Sequence, residues 1–133
     1  MAASDITRHF SSLSACAKVL LTIEKQYLET GLSGLFKRIN FSEALTRAKE
    51  NHSDLSGIYS HLNTLLATDS SLRGVSNFAK SLMDYSSALC KLLEGLAAKA
   101  NGTPYSSQEY KADFAQLDRS REACGDAQAK IFK

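Results

Sequence analysis

FSEALTRAKENHSDLSGIYSHLNTLL, residues 41–66, places Phe41, Leu45, Ala48, His52, Leu55, Tyr59, Leu62 and Leu66 in alternating steps of four and three. Held for more than three heptads, this spacing lines one face of an α-helix, whereas a strand would need alternation with a period of two. Ser42 can cap the helix start, and Thr68-Asp69-Ser70-Ser71 competes for backbone hydrogen bonds at its other end. The spacing therefore predicts a long helix over about residues 42–67.

Working outward, the same period recurs on both sides. Ile6, Phe10, Leu13, Ala17 and Leu20 form a core-facing stripe that Cys16, Ile23 and Tyr27 widen. A helix opening at Ser4 or Asp5 and running to Tyr27 or Leu28 follows, with Gly31 suited to the left-handed conformation at its end. Beyond residue 67, Leu72, Val75, Ala79, Leu82, Ser86, Leu89, Leu93 and Leu96 make one row, and Phe78, Tyr85 and Leu92 a second beside it. So broad a face on a helix over about 70–100 implies two packing neighbours. Asn101-Gly102 ends that helix, and Pro104 prevents its continuation.

The sharpest local signal follows. Ser106 and Glu109 have the spacing of a capping box, flanked by Tyr105 and Tyr110 as a hydrophobic staple, so a fourth helix starts at Ser107. It carries Tyr110, Phe114, Leu117, Cys124 and Ile131 on one face, but Arg121 falls in the same row, and Ala123, Ala127 and Ala129 are small. Four helices of such lengths, roughly 40–45 Å each at the standard rise, predict an all-α fold, an antiparallel four-helix bundle, in one domain over residues 1–133.

Composition agrees. Eighteen Leu and 17 Ala stand against 2 Val and 5 Ile, so the apolar content lies in helix formers. A net charge of +2, evenly spread, offers no electrostatic basis for binding bulk nucleic acid. No basic stretch followed by an apolar core opens the chain, and no run is apolar enough to span a bilayer, so neither a signal peptide nor a membrane span is expected. Three cysteines, Cys16, Cys90 and Cys124, are too few and too widely spaced for a disulfide framework, and their odd number points to a reducing, cytoplasmic setting.

Residues able to carry chemistry are scattered. His9, His52 and His61 include no pair at the i, i+3 or i, i+4 spacing of helical metal ligands, and no Glu-x-x-His occurs, so neither metal nor cofactor is expected. Histidine-phosphotransfer modules are also small four-helix domains. Here, however, His52-Ser-Asp-Leu-Ser-Gly57 is one residue too long for their pattern and lacks its lysine. Arg47-Ala-Lys-Glu-Asn-His52 is similar to the Arg-x4-His spacing of HEPN-type helical ribonucleases, a resemblance implying a phosphate clamp at Arg47 and an acid–base group at His52. A step of five turns the two side chains about 140° apart on a regular helix, which favours a solvated arginine and an interior histidine.

One segment exceeds its connecting role. Between the first two helices, Gly31-Leu-Ser-Gly-Leu-Phe-Lys-Arg-Ile-Asn-Phe41 has the spacing of a short amphipathic helix, with Leu35, Phe36, Lys37, Arg38 and Ile39 as the candidate partner-contact residues. Folding over the open end of the bundle as a lid is the other role its apolar residues suit. The second and third helices also offer more apolar face than the weak fourth helix covers, which predicts a homo-oligomer or another protein partner. The expected function is thus non-catalytic, through protein–protein contacts as a subunit, adaptor or inhibitor-like binding protein. The long helices and basic loop also resemble a short version of the curved BAR-type bundles, which implies an acidic membrane surface as partner; the low net charge opposes it.

Overall fold

A computed structural model of the protein describes residues 2–29 and 40–131. These form four long helices: α1 (Ala2–Ile23), α2 (Phe41–Leu66), α3 (Arg73–Ala100) and α4 (Ser107–Ala129). The amphipathic segment expected between the first two helices lies outside the described residues.

Local chemistry explains the boundaries. α1 does not stop at Ile23 but widens into a π-helix over Glu24–Glu29. α2 opens one residue earlier than Ser42 implied, because Asn40 is the cap: its side chain accepts from the Glu43 backbone N–H at 2.9 Å. Asp69 caps the 3₁₀ turn Ser70–Leu72 that leads directly into α3. At the far end of α3, Gly102 takes φ 92°, and the N–H groups of Gly102 and Thr103 return to the carbonyls of Lys99 and Ala98 at 3.0 and 2.9 Å. This is a Schellman ending, which requires a residue tolerant of positive φ at that position. The capping box of Ser106 and Glu109 is present, with the Glu109 N–H donating to Ser106 Oγ at 3.0 Å.

Side-chain pairs define the topology. His9 meets His61, the Cys16 carbonyl meets Asn51 and Tyr27 meets Arg47, so α2 runs antiparallel to α1. Asn63–Ser76, His52–Ser86 and Lys49–Glu94 set α3 antiparallel to α2. Lys91 meets Asp113, and the Gly74 backbone faces that of Ile131, which sets α4 antiparallel to α3. Phe10 against Phe78 and Glu24 against Tyr85 then put α1 parallel to α3, the up-down-up-down order of an antiparallel bundle.

α3 is the central helix. It packs extensively on both α2 and α4 and also touches α1, which accounts for its two apolar rows: Val75, Phe78, Ala79, Leu82, Tyr85, Leu89, Leu92 and Leu93 are all buried. Leu13, Leu20 and Ile23 of α1, Leu55 and Leu62 of α2 and Leu117 of α4 complete the core. Among the described residues α4 packs closely on α3 alone, and it meets the end of the first helix where Arg121 reaches Glu24.

The heptad row of α2 is only half correct. Ala48, Leu55 and Leu62 are buried, but Phe41, Leu45, His52, Tyr59 and Leu66 are half-buried, while Ala44 and Asn51, outside that row, are buried. The reason is that α2 serves two neighbours: Asn51 Nδ2 donates to the Cys16 carbonyl of α1 at 3.1 Å, and His52 reaches Ser86 of α3.

Candidate functional site

The densest polar cluster joins three helices. Glu24 opens the π-helical extension of α1 and turns inward, its side chain only 6% exposed. Tyr85 of α3 donates its hydroxyl to Glu24 Oε2 at 2.8 Å. Arg121 of α4 reaches across to Glu24 Oε1 with one guanidinium nitrogen and holds Asp118 with another. Burial and the adjoining carboxylate push the Tyr85 phenol far up, so it stays protonated and serves as a donor. For Arg121, burial works against the charge, but Glu24 and Asp118 more than offset it and raise its pKa. Each carboxylate oxygen of Glu24 thereby accepts a hydrogen bond, a cross-link of the fold that joins three helices.

Periodicity places Arg121 in the row of α4 but does not identify its partner. A signal was available: Glu24 also falls in an otherwise apolar row, four residues after Leu20, so two opposite charges each interrupt a core stripe. Pairing them needs the three-dimensional register, since 97 residues separate the two.

Arg47 and His52 do not converge. The Arg47 guanidinium turns to α1, donating to Gln26 Oε1 and the Tyr27 hydroxyl at 3.3 Å each and lying 5.9 Å from the centroid of the Tyr27 ring. His52 instead turns to α3, its Nδ1 2.9 Å from Ser86 Oγ. The arginine is thus bound to a neighbouring helix rather than simply solvated, and the 140° separation read from the spacing is realised as two different helix interfaces.

Shallow grooves run between the helices. Lys49, His52, Ser53, Ser56, Ser87 and Cys90 line one of about 480 Å³ between α2 and α3. At its rim Lys49 pairs with Glu94 at 3.7 Å. Another, of about 580 Å³, lies between α1 and α2 and contains Asp54 together with His9 and His61, whose ring centroids are 5.9 Å apart. Burial pushes every thiol up: Cys16 with help from Asp54, Cys90 with help from Glu94, and Cys124 to about 12 with help from Asp84. None is poised as a thiolate nucleophile. Among the described residues no group of three or more His, Cys, Asp or Glu side chains is placed to hold a metal ion, and no helix is long and apolar enough to cross a membrane.

Leu35, Phe36, Lys37, Arg38 and Ile39, the contact residues expected from the sequence, lie outside the described residues. The exposed large apolar side chains among the described residues both belong to α1, Leu21 at 47% and Val19 at 37%, on nearly opposite sides of the helix. Leu21 stands within about 20° of Phe10 around the helix and Ala17 lies close to both, so the three share one face. Phe10 rests on Phe78 of α3 with centroids 5.7 Å apart, which places Leu21 on the α3 side of α1, away from the contacts of His9 and Cys16 with α2. Comparison with protein-family models, curated proteins and solved structures finds no match to this chain.

Proposed function

We propose that this chain is a non-catalytic helical bundle that works by protein–protein contact, as a subunit, adaptor or inhibitor-like binding protein, through the face of α1 that carries Leu21. The observation that carries this reading is Leu21, a large apolar side chain nearly half exposed on α1. Burying such a side chain against a partner contributes on the order of 1–2 kcal/mol, which several neighbouring contacts would multiply into a stable association. The engagement of Glu24, Arg47 and His52 within the fold supports contact rather than catalysis. Three free thiols fit a reducing, cytoplasmic setting. Leu35, Phe36, Lys37, Arg38 and Ile39 supply a second contact in the same reading.

Two variants test it. Leu21→Glu and the triple change of Phe36, Lys37 and Arg38 to Ser should leave helical content intact. Each should lower the association seen by sedimentation equilibrium or, for a monomeric chain, the recovery of specific partners from native extract. Unchanged association and unchanged partners in both variants would refute the contact role. Co-sedimentation with acidic vesicles, lost on removing Lys37 and Arg38, would transfer the function to a membrane surface.

A further inference from the structure

α3 ends on Asn101-Gly102, where a backbone nitrogen and a side-chain amide of adjoining residues can react with each other. Of the five asparagines in the chain only Asn101 is followed by glycine. The others precede Phe41, His52, Thr64 and Phe78, whose side chains crowd the backbone nitrogen that follows the amide. With no Cβ on its successor, the Asn101 amide meets that nitrogen with the least hindrance. Asn40, Asn51 and Asn63 are also held, by the Glu43 N–H, the Cys16 carbonyl and the Ser76 hydroxyl. Asn101 to Pro104, by contrast, are exposed, and a Cβ at Gly102 would meet nothing within 4 Å, so there is room for the backbone to rearrange.

The cap sets when the nitrogen can react. Its N–H donates to the Lys99 carbonyl at 3.0 Å, and Asn101 has ψ 10°, which holds the Gly102 nitrogen close to eclipsing the Cα–N bond of Asn101. A five-membered ring needs it to eclipse the Cα–Cβ bond instead, so the turn must open first. We infer that Asn101 is a site of spontaneous covalent modification, gated by opening of the Schellman turn at the end of α3. In the open turn hydroxide takes the Gly102 amide proton and the nitrogen attacks Asn101 Cγ. The N–Cγ bond forms, the Cγ–Nδ2 bond breaks, and ammonia leaves with a proton returned by water, giving a succinimide. Water then adds to one of the two ring carbonyls and its bond to nitrogen breaks: at Cγ this leaves aspartate, at the backbone carbonyl isoaspartate. One water is consumed, one ammonia is released, and nothing is oxidised or reduced. Either product sets a carboxylate at the negative end of the α3 dipole, and isoaspartate also lengthens the main chain by one carbon, so the turn cannot close as before. Tyr105 follows closely, its ring over Gly95 and its hydroxyl donating to Asp113 at 2.6 Å, so the change falls where α4 is joined to α3.

Timed incubation of the full chain at mildly alkaline pH, native and unfolded in guanidinium chloride, tests the inference, with Asn101→Gln as the control. Peptide mapping by mass spectrometry locates the conversion of amide to acid, and an isoaspartate-specific methyltransferase labels the rearranged product. In the native chain conversion should fall on Asn101, with isoaspartate among the products. It should be absent from Asn101→Gln, where closure would need a six-membered ring. The native rate should lie about ten- to a hundredfold below the unfolded rate, as a local opening before the reaction requires. It should also stay flat as denaturant rises toward the unfolding transition, since opening one turn exposes little surface. Both comparisons use the wild type alone, so they stand whatever the stability of the variant. Equal native and unfolded rates would show that the turn is no gate. A native rate that climbs with denaturant in step with global unfolding, conversion of the other asparagines as fast as Asn101, or no native conversion within about a hundred unfolded-state half-times would each overturn the inference.

Discussion

Removing Arg121 should cost more than removing Glu24, although the two belong to one ion pair. The asymmetry comes from exposure. The Glu24 side chain is 6% exposed, whereas Arg121 is 38% exposed and its second partner, Asp118, is 48% exposed. Arg121→Ala strands a carboxylate in the interior with the Tyr85 hydroxyl as its remaining donor, and breaking a buried pair in this sense costs about 3–5 kcal/mol. Glu24→Gln leaves an amide oxygen able to accept from Tyr85 and an arginine that keeps Asp118 and meets water, so a loss of about 1 kcal/mol is expected. Urea unfolding at pH 7 with matched m-values measures both. A Glu24→Gln loss equal to that of Arg121→Ala would refute the reasoning.

Two helical glycines should respond oppositely to alanine. A Cβ at Gly95 would stand 2.3 Å from Cζ of Tyr105, displacing a ring whose hydroxyl donates to Asp113 at 2.6 Å, so Gly95→Ala should destabilise by about 1–3 kcal/mol. A Cβ at Gly57 meets nothing within 4 Å, and Gly57→Ala should stabilise by about 0.5–1 kcal/mol; thermal melts of the two variants separate the signs. Leu62→Ala and Leu89→Ala, at fully buried positions, should each cost about 2–5 kcal/mol. Ser106→Ala loses only a cap and should cost about 1 kcal/mol; denaturant melts ranking these three in reverse would contradict the helix assignments.

What the sequence by itself determined is what short-range chemistry controls. The steps of α2, the two rows of α3 and the three-residue spacing of Ser106 and Glu109 act within one or two turns, so pattern alone located the four helices and most of their ends. Short loops after α2 and α3 then required antiparallel neighbours. Two local readings gave way to equally local competitors: Asn40 outdid Ser42 as a cap, and the end of α1 widened into a π-helix. Other features depended on the packing of whole helices. Heptad counting treats α2 as having one inner face, but a helix between two neighbours buries the line that both can reach, so Asn51 lies buried and His52 half-buried against Ser86. That α4 settles closely on α3 and not on α1 is a choice among faces that periodicity leaves undetermined. Glu24 and Arg121 interrupt their own helices as isolated charges, and only when the register of α1, α3 and α4 brings them within hydrogen-bonding reach does burying them become affordable, since a charge leaves water stably only with its partner in place.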